Sequence, residues 1–324
     1  MPANLTPDYL AAERAYRQAK TPQEKIAALE EMLATIPKHK GTEKMQADIK
    51  RRLAKTRAAA AERRKGGGLD LFHVEKHGAG QLALVGTPNS GKSALLAATT
   101  KARVVVAPYP YATHAPVPGM MPFEDIQIQL VDLPPVSPDG LVPGMMGTVR
   151  GADGILVCAD LGAPDALEQV DACLATLQAR GLVPPGREVP EGGAAKPMLL
   201  VGTKADLPGA DANFQALQEL YAGLAPIVST SAETGEGLGE LARRCFEMLG
   251  IVRVYSKEPG KPPDMDQPFI LPRGSTVLGM AEAIHREMAK HLKRARIWGS
   301  EKYDGQLVQR DHVLADKDVI ELHV

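Results

Sequence analysis

Eight consecutive residues, Gly86-Thr87-Pro88-Asn89-Ser90-Gly91-Lys92-Ser93, have the types and spacing needed to hold a polyphosphate. They fit the pattern G-x-x-x-x-G-K-[ST], with the apolar run Leu82-Ala83-Leu84-Val85 before them and helix-compatible Ala94-Leu95-Leu96-Ala97-Ala98 after. Glycines let the backbone wrap closely around phosphates, so that the N–H groups of residues 89 to 94 point inward. Lys92 then supplies a point charge to the outer phosphates, and the Ser93 hydroxyl is a ligand suited to Mg²⁺. A helix starting near Gly91 aims its positive end at the same anion. The competing explanation is a glycine-rich turn that matches by chance.

Three more groups follow runs that read as strands. Ile126–Val131 ends in Asp132, Met198–Val201 runs into Thr203-Lys204-Ala205-Asp206, and Pro226–Val228 is followed by Ser231-Ala232-Glu233. A triphosphate with Mg²⁺ needs a strand-end carboxylate near the metal, which Asp132 offers. Guanine needs an acceptor pair for its ring N–H and exocyclic amine, which the Asp206 carboxylate can supply. Adenine presents no such donor pair, so Asp206 argues for GTP and against an ATPase. Each signal alone is weak; their order, each at a strand's carboxyl end, is what excludes chance. His73 and His77 stand four apart, but no third ligand lies nearby and the zinc-protease order is missing, so a metal role is not expected.

The elements that must position these residues alternate strand and helix from Gly80 to about Gly250, with helices expected over Asp165–Arg180, Asp211–Ala222 and Glu236–Leu249. That alternation predicts an α/β fold with a mainly parallel sheet covered on both faces, whose ligand site lies at the strands' carboxyl ends. Before it, residues 1–68 show no strand pattern. Thr6-Pro7-Asp8 starts one helix, and Thr21-Pro22-Gln23-Glu24 opens a second, which carries Ile26, Leu29, Leu33 and Ile36. Thr42 is placed to cap a third helix with the stripe Met45, Ile49 and Leu53. Gly66-Gly67-Gly68 reads as a joint. After it, Ile251–Tyr255 and Pro268–Leu271 read as strands, Thr276 caps a helix expected to run through Lys290, and Ile297-Trp298 and Val319–His323 return to strand. The expected division is therefore a helical basic region (1–68), a P-loop domain (69–250) and a small α+β domain (251–324).

Composition fits this plan. In 324 residues, 44% are hydrophobic and 24% charged, ordinary for a globular protein, and no apolar run approaches a membrane span. Cys158, Cys173 and Cys245 have no ligand spacing and read as reduced, buried hydrophobes of a cytoplasmic protein. The formal net charge of −1 hides a basic stretch: Lys38 to Lys65 holds eleven Lys/Arg against three acids. A second cluster is Lys290, His291, Lys293, Arg294 and Arg296. Both suggest RNA phosphates as partner, against a solvated face for the first and helix-dipole compensation for the second. Neither DNA nor a membrane is expected, and Trp298 is read as a core residue.

With these residues in view, the chain resembles the translation-factor-related GTPases of the Obg/Drg group, the Drg branch in particular, over nearly its whole length. Phe72-His73-Val74-Glu75-Lys76-His77-Gly78 is similar to that family's lead-in, and Tyr109-Pro110-Tyr111-Ala112-Thr113 to its first switch. The segments Ile251–Tyr255, Trp298-Gly299, Asp311–Leu314 and Asp318–Ile320 resemble its TGS domain, a β-grasp module. The resemblance implies slow hydrolysis of GTP to GDP and phosphate on ribosomes or RNA. It implies a nucleotide site of Pro88, Asn89, Ser90, Gly91, Lys92, Ser93, Ala94, Asp132, Thr203, Lys204, Asp206, Ser231, Ala232 and Glu233, with Thr203 replacing the usual Asn. Mg²⁺ would sit on Ser93 and Thr113 with Asp132 behind, and Lys92 and Thr113 would carry catalysis. Asn89 matches an asparagine that helps hold K⁺ beside the phosphates; the other reading is that it merely tolerates positive φ. Two departures stand out. Pro135 replaces the glycine whose N–H meets the γ-phosphate, and Val136 stands where a water-orienting glutamine is common. No general base is assigned, and a guanine-nucleotide-dependent adaptor without hydrolysis is the alternative.

Overall fold

A computed structural model describes residues 7–18, 22–36, 42, 45–54, 56, 72–101, 115–137, 141–142, 144–301 and 303–324. The chain forms two compact units, residues 1–70 and 71–324. Thr113, the rest of the Tyr109–Thr113 segment, Gly66–Gly68 and most of the basic stretch lie outside the described residues.

In the first unit, α1 (Pro7–Gln18) and α2 (Pro22–Thr35) pack with α3 (residues 45–54). Proline at the first helical position opens both α1 and α2, where its missing N–H costs no hydrogen bond. Tyr9, Ala12, Leu29, Met32, Ile36, Ile49 and Leu53 form one apolar cluster, so the helical spacing of the expected stripes does select the buried face. Thr42 is buried, and its carbonyl accepts the Gln46 N–H at 2.9 Å, marking the start of α3.

The second unit holds two main sheets. The first contains β1 (Gln81–Gly86), β2 (Val117–Phe123), β3 (Ile126–Asp132), β4 (Gly154–Asp160), β7 (Met198–Thr203) and β8 (Ile227–Ser229), in the order β2-β3-β1-β4-β7-β8. All neighbours pair in parallel except β2 with β3. Between β4 and β7 lies a two-stranded side sheet of β5 (Leu182–Val183) and β6 (Ala194–Ala195). Side-chain alternation splits the core in two. Ala83 and Val85 face α5 (Met145–Gly151), α6 (Ala166–Ala179) and α7 (Ala210–Tyr221), whereas Leu82 and Leu84 face α4 (Lys92–Thr99) and α8 (Leu238–Leu249). The three cysteines are buried here, and burial pushes the thiol of Cys158 up to about 12 and that of Cys173 up to about 11.

The second sheet has the order β10-β9-β13-β11-β12, from β9 (Ile251–Ser256), β10 (Phe269–Pro272), β11 (Arg294–Trp298), β12 (Gln306–Val308) and β13 (Asp318–His323). β13 runs parallel to β9. Helices α9 (Val277–Ile284) and α10 (Arg286–His291) bury Val277, Met280, Ala281 and Ala289 against it, a β-grasp-like arrangement.

Three expectations need correction. The helix from Thr276 does not run to Lys290: Thr276 caps α9 by accepting from the Gly279 N–H, but His285 is extended and starts α10 by accepting the Glu287 N–H on its ring. The break lets Ala289 and Leu292 enter the same core as Met280. Trp298 is half-buried on the sheet face opposite Ile297, with the Lys257 ammonium 4.9 Å from its ring centre, outside that core. β2 has no counterpart among the expected strands, because Pro118, Gly119 and Pro122 weaken its pattern; it survives as an edge strand with a single neighbour.

Helix α8 supplies a paired test of local packing. Gly237, at φ +72, precedes it so closely that an added Cβ would stand 2.0 Å from the Ser229 carbonyl oxygen, while Gly239 meets nothing within 4 Å. Urea unfolding should show Gly237→Ala losing more than about 1–3 kcal/mol and Gly239→Ala gaining about 0.5–1 kcal/mol.

Candidate functional site

The site forms where β1, β3, β4, β7 and β8 end. β1 stops at Gly86, and the loop returns through Asn89 at φ +62 and Gly91 at φ +80 before α4 begins at Lys92. Asn89 therefore does occupy a left-handed position, which asparagine tolerates better than most side chains. At Gly91 a Cβ would lie 2.8 Å from the Thr203 hydroxyl, so geometry and space both require glycine there.

Lys92 is only 6% exposed. Its ammonium donates to the carbonyls of Gly86 (3.1 Å) and Thr87 (2.9 Å) and to the Ser90 hydroxyl (3.3 Å), which holds the charge inside the loop. Burial lowers its pKa below the ordinary lysine value, and the nearby Asp132 carboxylate works in the opposite sense. Ser93 donates its hydroxyl to the Asp132 carboxylate at 2.5 Å. A hydroxyl and a fully buried carboxylate side by side, next to an anion cradle, form a hard-oxygen pair that fits Mg²⁺. Among the described residues no three His, Cys, Asp or Glu gather as a metal cluster, His73 and His77 included.

Facing the loop is a cavity of about 240 Å³, lined by Gly91, Ala94, Thr203, Lys204, Asp206, Ala232 and Glu233 among others. Asp206 accepts a 2.5 Å hydrogen bond from the Ser231 hydroxyl, which also accepts the Thr234 N–H. One carboxylate oxygen is thus fixed from behind. Thr203 points its hydroxyl at the Ser90 carbonyl (2.9 Å) and the Ala159 carbonyl (3.1 Å), joining β7 to the loop and to β4. Lys204, at φ +58, pairs with Asp160 at 2.5 Å. Asp160 was absent from the expected set, although its place at the carboxyl end of β4 is the same signal that picked out Asp132. Gln169 holds the Asp160 N–H, and the Asp160 carboxylate accepts the Gly162 N–H.

Pro88, Asn89, Ser90, Gly91, Lys92, Ser93 and Ala94 are thus brought together with Asp132 on one side and with Thr203, Lys204, Asp206, Ser231, Ala232 and Glu233 on the other. Beyond Asp132 the chain stays against the first residue of the loop. Pro135 is buried, and Val136 packs its side chain in the core with Leu133, Leu141 and Met145 while its N–H donates to the Gly86 carbonyl at 2.9 Å.

Residues 81–201 match the family described as 50S ribosome-binding GTPase, and residues 252–324 match the TGS domain. The chain is an Obg/Drg-type GTP-binding protein. It is 29% identical to an uncharacterised GTP-binding protein of Methanocaldococcus jannaschii, over 92% of each chain. It is 27% identical to developmentally-regulated G-protein 1 of Arabidopsis thaliana, over 92% of this chain and 90% of the relative. A GTP-binding protein from Pyrococcus horikoshii has the same fold over 75% of this chain and 99% of its own, with a TM-score of 0.50 at 16% identity. This Obg/Drg-type chain therefore carries a P-loop GTPase domain followed by a TGS domain.

The Thr203 hydroxyl can be tested alone. Thr203→Val keeps the shape but removes the one hydroxyl proton that the Ser90 and Ala159 carbonyls share in a buried place, so chemical denaturation should register a loss of about 1–3 kcal/mol.

Proposed function

We propose that this protein is a slow GTPase switch that converts GTP to GDP and phosphate with Mg²⁺ and acts on ribosomes or RNA. The observation that carries the reading is the shared cavity: Asp206, steadied by Ser231, faces the amide-lined turn at Gly91 and Ala94. A base read at one end is then attached to phosphates gripped at the other. In this reading the amides of residues 89 to 94 and Lys92 hold the phosphates, and Ser93 and Asp132, with Thr113, hold the metal. Mg²⁺ would neutralise the phosphate oxygens as charge develops on them. Lys204 would pack along the base, with Asp160 fixing its ammonium, and Asn89 would contribute to a K⁺ site.

The proposed division is a helical basic region (1–68), the GTPase domain (69–250) and the TGS domain (251–324). Support for an RNA or ribosome partner comes from the description of the matching family, from the basic stretch Lys38–Lys65 and from exposed Lys293, Arg294 and Arg296 in the TGS domain. Among the described residues no helix is long and apolar enough to cross a membrane. A cytoplasmic location is proposed on the three free cysteines, which a reducing compartment keeps as thiols.

A specific observation favours the second reading, an adaptor that binds GTP without turning it over. Pro135 has no N–H for a γ-phosphate, and the buried Val136 offers neither a side chain nor a spare N–H to a water. Phosphate release by the purified protein, in K⁺ and in Na⁺, separates the two: turnover that is slow but present, and faster in K⁺, is expected, and none in either salt leaves the adaptor.

Two substitutions probe the site itself. Asp206→Asn removes an acceptor that guanine needs, so competition against a fluorescent guanine nucleotide should show GTP weakened at least about tenfold while ATP changes little. Pro135→Gly restores a backbone donor. Equilibrium titration should find the preference for a GTP analogue over GDP raised about tenfold to a hundredfold, the worth of one hydrogen bond to a charged group.

A further inference from the structure

Arg253 is the largest fully buried side chain of the structure, 2% exposed, and it lies on β9 of the TGS domain where that domain meets the GTPase domain. Its guanidinium carbon stands 4.9 Å from the ring centre of Phe246 on α8 and 5.7 Å from that of Phe123 on β2, and the two rings stack at 5.0 Å. Three carboxylates surround it. Asp316, from the TGS domain, accepts from Nε at 3.0 Å, from Nη2 at 2.6 Å and from the Arg253 backbone N–H at 2.8 Å. Glu124 and Asp125, from the GTPase domain, both accept from Nη1, at 2.7 and 2.5 Å. Asp125 also accepts from the Tyr255 hydroxyl, and Glu124 pairs with Lys317 at 2.8 Å.

Glu124 and Asp125 are the two-residue turn of the β2–β3 hairpin, with Glu124 at φ +50. That hairpin has the nucleotide site at its other end. β3 finishes at Asp132, which takes the Ser93 hydroxyl, and β2 begins at Val117, four residues beyond Thr113. Seven residue pairs, from Val117 with Asp132 to Phe123 with Ile126, make it one stiff lever. Its outer strand is the sheet's edge, bonded only to β3, while β3 is held on its other side by β1, so the hairpin ties its tip directly to the strands of the nucleotide site.

We propose that Arg253 latches the TGS domain to the tip of this hairpin, so that nucleotide state and TGS docking are coupled through the lever. The inference rests on the reading of the GTP site given above. The two sides of the latch are built differently. On the TGS side Asp316 grips the guanidinium with a bidentate pair and adds a backbone bond, so the arginine stays with its own domain. On the GTPase side Glu124 and Asp125 each take a single bond from Nη1. All three carboxylates are partly exposed, at 47%, 25% and, for Asp316, 31%, so the smaller number of bonds makes the GTPase side the one where water can replace the arginine if the tip shifts. Such a junction releases at the turn, between domains. Hydrogen bonding to Asp316 raises the Arg253 pKa above the ordinary value, so the cation persists throughout.

Coupling of this kind is reciprocal. If bound GTP and GDP place the lever differently, cutting the latch must alter the ratio of the two affinities. Fluorescent GDP and a non-hydrolysable GTP analogue are titrated into the full chain, wild type, Arg253→Gln and Glu124→Gln/Asp125→Asn. The double variant lies on a partly exposed turn and keeps the test open where loss of the buried arginine prevents folding. Both nucleotides should still bind the double variant, with the affinity ratio changed about fivefold or more. If both bind and the ratio matches wild type, the latch is a static joint and the proposal falls while the GTP site stands. If wild type binds neither nucleotide, the reading of the site falls and the latch with it.

Discussion

The hydroxyl of Thr203 is the point on which the nucleotide-binding half of the molecule turns. Pointing at two carbonyls, Ser90 in the phosphate loop and Ala159 on β4, it fixes the loop against the strand ends that shape the base cavity. The loop can come that close only because Gly91 has no side chain and accepts a positive φ. Distance between the phosphate cradle and Asp206 is therefore set by packing around one small hydroxyl. A site that reads the base and grips the phosphates of one ligand needs that separation constant, because rigid placement of both ends is what turns two weak contacts into one strong one.

Charge within the site follows the same economy of space. Lys92 is nearly sealed from water, so its ammonium is held by loop carbonyls, and burial depresses its pKa while Asp132 opposes the change. A cation this little exposed attracts an anion strongly because little solvent screens it. Asp132 accepts the Ser93 hydroxyl at the loop's edge, an oxygen pair of the kind a divalent cation takes. By contrast, the segment after Asp132 gives its groups to the fold: Val136 fills the core and its N–H is engaged with Gly86. Among the described residues, the segment just after Asp132 therefore offers the cavity few polar groups.

The domain junction uses an opposite device. Beside the apolar contacts that Ile251 and Ile270 make with the GTPase core, a buried guanidinium is shared between carboxylates of both domains and capped by two aromatic rings. Desolvating an arginine is costly unless its N–H groups find partners, and the three carboxylates accept four hydrogen bonds from its five N–H groups. Such a contact specifies one docking arrangement without the permanence of a large hydrophobic interface.

Much of the site was legible in the sequence, because its chemistry lies in short contiguous stretches whose backbone shape is dictated locally. The glycines, Lys92 and Ser93 of the loop, and Asp206 within Thr203-Lys204-Ala205-Asp206, follow apolar runs that had to be buried parallel strands, and parallel strands place their ends together. Helix starts at Pro7, Pro22 and Thr276 were equally local. What the sequence could not carry are pairings between distant residues that have no periodicity of their own. Asp160 meets Lys204 across 44 positions, Arg253 meets Asp125 across 128, and β2 exists only because β3 offers it an edge despite two prolines and a glycine. The extended turn at His285 and the outward face of Trp298 were likewise decided by which surfaces remained to be covered once the sheet had formed. Local backbone preference and burial pattern are written residue by residue; the partner of a charged or aromatic side chain depends on the register of whole elements, and only the assembled structure sets that.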